Sequence, residues 1–359
     1  MKIDIKSEIR EKEKRLYAFM DSNGYGAVII NKQSNFAWLT GGGDNHVGIA
    51  TEIGSVTAIV TKAKKYIIAN NIEAPRIKDE EINDQAFELV EFPWNEADRS
   101  AEIIKEITDG MRVASDEEIA PLRYSLTQSE IEKYRWIGHE SSKSLKEVSD
   151  IIKPGDSEHK VAGLVAERLL PSGIIPIVLL IAADERIKKY RHPIPTDNRI
   201  KKHVMIVVCA RKWGLITSLT RLVHFGSLPS ELREKHNAVT KIDASFTANT
   251  RPGNIVGDIF SKALDVYERT GFRDEWKLHH QGGATGYSCR DYKGTSDSKE
   301  TVELNQAFAW NPSITGTKSE DTIIALKDKT KIITQAADWP MLTVKYEDQS
   351  IQKPDIYIK

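Results

Sequence analysis

Cysteine is scarce in this chain: Cys209 and Cys289 are the only two among 359 residues. Two cannot build a disulfide framework in a chain of this length, and a reducing compartment, the cytoplasm, is the expectation. Net charge is also lacking. The 51 basic and 52 acidic side chains leave a formal charge of −1, which excludes a general electrostatic pull toward nucleic acid or an anionic membrane. No apolar run approaches the roughly 20 residues of a membrane helix. The charged N-terminal stretch MKIDIKSEIREKEKR offers no apolar segment for a secretory signal. Repeats and low-complexity tracts are missing too. What is present is 40% hydrophobic and 29% charged residues, the balance of a globular protein with a sizeable core, and a length that suits two domains.

Periodicity divides the chain accordingly. Ile9, Leu16, Phe19 and Met20 recur at near-helical spacing over residues 5–22, and Asn23-Gly24 stops that helix. Short β-like runs follow at Ala27 to Ile30, Ala58 to Val60 and Tyr66 to Ala69, then a helix around Ile103 to Ile107 and a strand at Arg112 to Ala114. This alternation predicts an α/β domain over 1–124. Thr127 and Glu130 fit a capping box that opens a helix from Ser129 to about Ile152. Ser157 caps the next helix. Beyond residue 176 come long β runs, above all VMIVVCA at 204–210, with Trp213-Gly214 as a hairpin turn. Helices at roughly 228–248 and 255–270 precede further strands, so 125–359 is expected to be an α+β domain around a mostly antiparallel sheet.

Several segments in register resemble the aminopeptidase P, prolidase and creatinase family, whose second domain is called the pita-bread fold. Thr127-Gln128-Ser129-Glu130-Ile131-Glu132 is similar to the family's "K/T-x-x-E-I-E", and Ile152-Lys153-Pro154-Gly155 with Glu158 to "I-K-P-G-x-T-E". Arg191-His192-Pro193-Ile194-Pro195-Thr196-Asp197 resembles "P-H-x-x-P-T-D", and Leu219-Thr220-Arg221 the end of "D-I-T-R". Residues 279–286, HHQGGATG, parallel "H-G-x-G-H-x-x-G", and Ser319-Glu320-Asp321-Thr322 parallels "R-x-E-D-T". In the first domain Asn35 to Gly41 resembles "N-x-x-Y-L-T-G", and Arg251-Pro252-Gly253 a later helix start. The resemblance implies a creatinase-like α/β domain followed by a pita-bread domain.

It also implies two divalent metals held by two Asp, one His and two Glu, because paired hard cations need anionic oxygens to activate a bridging water. Here the second Asp falls at Ser218 and the first at Val207 or Cys209, depending on the register. No acid occurs between Asn198 and Ser230, so the register does not rescue either ligand. The His falls at Gly283, the first Glu at Asn311, and only Glu320 is retained. Neither a metal nor another cofactor is therefore expected. His192 and Glu320 are the candidate catalytic pair, the imidazole as general acid/base and the carboxylate as substrate clamp. His279, Ser218, Asn311, Arg290 and Arg221 are the candidate substrate-binding residues, with His280 and Asp291 beside them.

These residues point to a metal-independent hydrolase, or a lyase, of a small amide, amidine or amino-acid-like compound, with His192 and Glu320 facing each other across a closed polar pocket. Its partners would be that small molecule and a second copy of the chain, since the resemblance implies a homodimer; nucleic acid and membrane are not expected. Two alternatives stand beside it: a binding protein that keeps the fold without the reaction, and an Xaa-Pro peptidase with metal ligands drawn from His279, His280 or Asp291. Structural roles are expected for His203 and His224, and a buried core position for Cys209. Trp310 is either core or pocket rim. The loop Gly41-Gly42-Gly43 lacks the Lys-Ser/Thr of a phosphate loop; the resemblance, in whose dimers the first domain covers the partner's site, implies a pocket lid there.

Overall fold

The computed structural model describes residues 4–82, 85–96 and 98–359. The chain forms two compact units, Met1–Lys133 together with Trp213–Leu215, and Tyr134–Lys212 together with Ile216–Lys359.

In the first unit, helix α1 (Ile5–Asn23) starts where the Asp4 carboxylate accepts from the Ser7 N–H and stops at Gly24, whose φ of 70° is left-handed. Its buried face carries Ile9, Leu16 and Met20, as the spacing predicts. Strands β1 (Ala27–Lys32), β2 (Ile53–Thr61), β3 (Lys65–Asn70), β4 (Phe87–Phe92) and β5 (Val113–Ala114) form one mixed sheet in the order β4-β3-β2-β1-β5. The segment Gln33–Thr40 is a helix, α2, which no periodicity in the sequence announces. Its Phe36, Trp38 and Leu39 are fully buried, so packing, not periodicity, sets its conformation. Helix α3 (Arg99–Thr108) lies where Ile103 to Ile107 predicted one.

Helix α4 (Gln128–Ile151) carries the chain from one unit to the other. Its capping box is formed: the Glu130 N–H donates to Thr127 Oγ1 at 3.2 Å, and the Thr127 N–H donates to Glu130 Oε2 at 2.7 Å. In the second unit, Ser157 caps α5 (Glu158–Leu169). Strands β6 (Ile175–Ala183), β7 (His203–Lys212) and β8 (Leu215–His224) make a sheet completed by β18 (Tyr357–Ile358) in the order β18-β8-β7-β6. Strand β7 is buried on both faces, which explains its unbroken apolar run. Val204, Ile206, Val208 and Ala210 enter one apolar cluster, and Met205 and Val207 another. Each such side chain contributes about 1.5–3 kcal/mol when fully buried.

Helices α6 (Ser230–Asn249) and α7 (Val256–Arg269) lie in the predicted places. A second sheet follows, built from β9 (Gly282–Thr285), β10 (Tyr292–Lys293), β11 (Gln306–Trp310), β14 (Asp321–Ala325) and β15 (Thr330–Ile332), all antiparallel. Between β11 and β14 sits a small hairpin of β12 (Ser313–Ile314) and β13 (Thr317–Lys318). Strands β16 (Met341–Tyr346) and β17 (Gln349–Pro354) pair separately. The expected single sheet is thus divided, but the α/β and α+β classes of the two parts are as read.

Candidate active site

Glu158 organises the segment that carries His192. Its carboxylate is fully buried and accepts from the Ala183 N–H at 2.9 Å, the Thr196 N–H at 3.0 Å, the Thr196 hydroxyl at 2.8 Å and Asn198 Nδ2 at 3.1 Å, and it pairs with Arg186. Burial raises its pKa, but these donors win and hold it below the usual carboxylate range. Arg191, beside His192, donates to Glu275 Oε2 at 3.0 Å and to Thr315 Oγ1 at 2.9 Å. Glu275 belongs to the turn that precedes His279, and Thr315 to the β12–β13 hairpin that ends at Lys318. One arginine therefore ties together the three segments that build the site.

The result is a group of three imidazoles. His279 Nε2 and His192 Nε2 are 3.1 Å apart, so one carries the proton and the other accepts it. His280 stacks on His279 with ring centroids 4.3 Å apart. A nitrogen from each of the three lies within 4.8 Å of the others. Burial, followed by the charge of Lys318, pushes the His279 pKa down to about 2 and lowers that of His192. Burial and Arg290 bring His280 to about 4. All three are neutral at pH 7. A small cavity beside them is lined by His279, Thr317 and Lys318 among others.

Glu320 belongs to a group of charged side chains that acts on these imidazoles. Lys318 Nζ lies 2.8 Å from its Oε2, Arg290 Nη2 3.4 Å from its Oε1, and the Thr220 hydroxyl donates to Oε2 at 2.6 Å. Burial raises the Glu320 pKa, yet Lys318 and Arg290 overcome it and leave the carboxyl at about 2. Its hydrogen-bond partners are these cations and a hydroxyl, and those of His192 include His279, while the Glu320 charge acts on His192 through space. Ser218 Oγ donates to Cys209 Sγ at 3.3 Å. Cys209 is buried as expected, with the Ser218 hydroxyl as a polar neighbour. At Gly283 a Cβ would stand 2.2 Å from the Tyr292 carbonyl oxygen, so no side chain fits there.

Arg221 corrects the sequence reading. Its guanidinium is 1% exposed and is spent on Asp321 Oδ1 at 2.9 Å and on the carbonyls of Thr220 and Thr334. It binds the fold together and is not brought to the imidazoles. Trp310 is core: it stacks on Phe246 at 4.3 Å and donates to Thr250 Oγ1. His203 and His224 bond to the Val223 and Ser227 carbonyls, the structural roles expected. Asn311 is 3% exposed and its Oδ1 has no hydrogen-bond partner. Buried atoms His279 Nδ1, His280 Nδ1 and Arg290 Nε share that condition. Lys318 was missed, although it occupies the basic position of the "R-x-E-D-T" motif, two residues before Glu320.

Comparison with known proteins agrees with this architecture. The model of metallopeptidase family M24 matches residues 132–348, and that of the creatinase/prolidase N-terminal domain matches residues 13–153. A Xaa-Pro dipeptidase of Pyrococcus horikoshii is 22% identical over 344 residues, spanning 91% of this chain and 97% of the relative. The structure of a Xaa-Pro dipeptidase from Bacillus anthracis superposes with a TM-score of 0.77 at 16% identity, covering 98% of this chain and 100% of that one. The N-terminal domain of the FACT complex subunit SPT16 from chickpea (Cicer arietinum) gives 0.72 at 13% identity, with 94% and 98% covered. The chain belongs to metallopeptidase family M24, with a creatinase/prolidase N-terminal domain ahead of the pita-bread domain.

Proposed function

We propose that this chain is a hydrolase of a small amide or amino-acid-like compound bearing a carboxylate, and that it works without the paired metal centre that the family's name implies. The observation that carries the reading is the state of Glu320. It is the single carboxylate among the five positions that resemble metal ligands, and an ammonium group lies 2.8 Å from it. Two divalent ions do not fit such a donor set, because Ser218, Asn311 and a thiol supply no second carboxylate and Gly283 leaves no room for a histidine. Lys318, Arg290 and Glu320 together carry a net positive charge suited to an anionic group.

In this reading the neutral imidazole of His192, held by its hydrogen bond with His279, takes a proton from the attacking water and returns it to the leaving nitrogen. Lys318 and Arg290 hold the substrate carboxylate, and Glu320 keeps the two cations in place. Lyase chemistry would need the same base without the water.

The relatives named Xaa-Pro dipeptidases support a second reading, in which the substrate is a dipeptide ending in proline. Its terminal carboxylate would meet the same cations. A dimeric, cytoplasmic protein goes with either reading, and light scattering on the purified chain tests the dimer. No helix among the described residues is long and apolar enough to cross a membrane.

The deciding experiment assays Xaa-Pro dipeptides and a panel of small amides, with and without a chelator, alongside elemental analysis. Turnover that survives chelation and disappears in His279→Gln supports the proposal. Two equivalents of Mn, Co, Zn or Fe per chain, with activity lost on chelation, overturn it.

A further inference from the structure

The three imidazoles offer more nitrogens than one proton transfer needs. His279 and His280 are adjacent in the chain, and adjacent side chains of an extended segment point to opposite sides. Here they stack instead, with ring centroids 4.3 Å apart and 27° between the planes. Gln281 pins the backbone that bends them together. Its Nε2 donates to the His279 carbonyl and, at 3.1 Å, to that of Trp276, while its Oε1 accepts from the Tyr267 hydroxyl at 2.6 Å. His192 arrives from a separate segment, its ring centroid 4.9 Å from that of His279 and 5.8 Å from that of His280. One nitrogen from each ring lies within 4.8 Å of the other two, and the Nε2 atoms of His192 and His279 stand 3.1 Å apart. Nitrogens bound to one zinc ion at roughly 2.0–2.1 Å are themselves about 3.3 Å apart. A modest ring rotation therefore turns this group into a ligand set.

We propose that His192, His279 and His280 bind a single borderline divalent ion such as Zn²⁺, using none of the five positions that resemble the family's ligands. Imidazole donors alone suit Zn²⁺, Ni²⁺ or Cu²⁺ and offer nothing to Mg²⁺ or Ca²⁺, which take oxygen ligands. His279 is 9% exposed, whereas His192 is exposed, which gives the ion a way in and leaves its fourth position to water or an anion. The proton between the two Nε2 atoms passes to the other nitrogen of its own ring. Lys318 and Arg290 oppose a cation here, but both already pair with Glu320, and three lone pairs act on the ion together. An ion on His192 takes the lone pair that the proposed hydrolysis uses on water, and so switches the base off. That consequence rests on the hydrolytic reading; the binding does not.

The test dialyses the full chain against a chelator, then adds Zn²⁺ or Co²⁺ in steps and follows binding by calorimetry. The expected result is one ion per chain, the strong visible absorption of four-coordinate Co²⁺, and a raised Tm with Zn²⁺. Mg²⁺ at the same concentration should give none of these. His280→Asn and His279→Gln, each checked for folding by circular dichroism, should weaken Zn²⁺ binding at least about 100-fold, beyond the roughly 10- to 100-fold cost of losing an outer-shell partner. His159→Asn, at an exposed histidine elsewhere, should leave it unchanged. Absence of Zn²⁺ binding, or binding that survives in either folded variant, overturns the site. Zn²⁺ bound there without loss of turnover instead overturns His192 as the base, so the two proposals fail separately.

Discussion

Glu158 and Glu320 are both buried carboxylates of the second unit, and the fold treats them in opposite ways. Every contact of Glu158 is to the protein's own frame: two backbone N–H groups, a hydroxyl, an amide and Arg186. Around Glu320 two cations crowd one carboxylate, and buried atoms of His279, His280, Arg290 and Asn311 lack partners. A satisfied network is architecture, because all its desolvation cost is offset internally. A cluster with one sign of charge in excess is held in place by the surrounding fold and suits a counter-charge on something bound. The contrast separates the residue that builds the site from the residues that would use it.

The largest effect expected is on Glu158. Glu158→Ala strands Arg186, leaves the Ala183 and Thr196 N–H groups without an acceptor, and should cost about 3–5 kcal/mol in urea denaturation. Because the folded-state pKa of Glu158 is lowered, its contribution is present above the ordinary carboxylate range and is lost as the pH falls through the depressed value. A loss below about 1 kcal/mol would break the comparison. His279→Gln should do the opposite: stability within about 1 kcal/mol at pH 7, and turnover of an identified substrate down by roughly 10²–10⁴. Lys318→Met comes next. Removing one charge-assisted bond to the substrate, worth about 1.5–3 kcal/mol, should raise KM roughly 10- to 150-fold, with Lys318→Arg recovering part of it. An unchanged KM would mean that Lys318 serves Glu320 alone.

Much of this was legible in the chain. The α1, α4 and α5 caps are local chemistry written in Asp4, Thr127, Glu130 and Ser157, and the structure forms each of them. Helix α2 was not, because Phe36, Trp38 and Leu39 are buried around its circumference and show no period. In the site, the missing acids could be counted directly, but the pairings could not. Glu320 could bond His192 or Lys318, and only the packing of β13 against the rest decides between them. Arg221 failed for the same reason: a motif places a residue near a site without saying which way a long side chain turns.

The smallest effect, and the sharpest test of the imidazole pair, is in the pH dependence of stability. An unfolded histidine titrates near 6.5, whereas His279 is held neutral down to about 2 by burial and by Lys318. Below pH 6.5 the unfolded chain therefore binds protons that the folded chain refuses, and stability falls as the solution is acidified. Between pH 7 and 5.5 this amounts to roughly 1 kcal/mol for one such histidine. His203 and His236, each pushed down to about 4 chiefly by burial, add to the slope as well. They do so equally in wild type and in His279→Gln, so the difference between the two proteins reports on His279 and on the His192 and His280 rings in contact with it. The variant should lose roughly 1 kcal/mol less than wild type over that interval. Equal losses would mean that His279 is protonated in the folded state at pH 5.5, within reach of physiological titration. The site would then hold a third cation beside Lys318 and Arg290, and the contrast with the internally balanced Glu158 network would be sharper still.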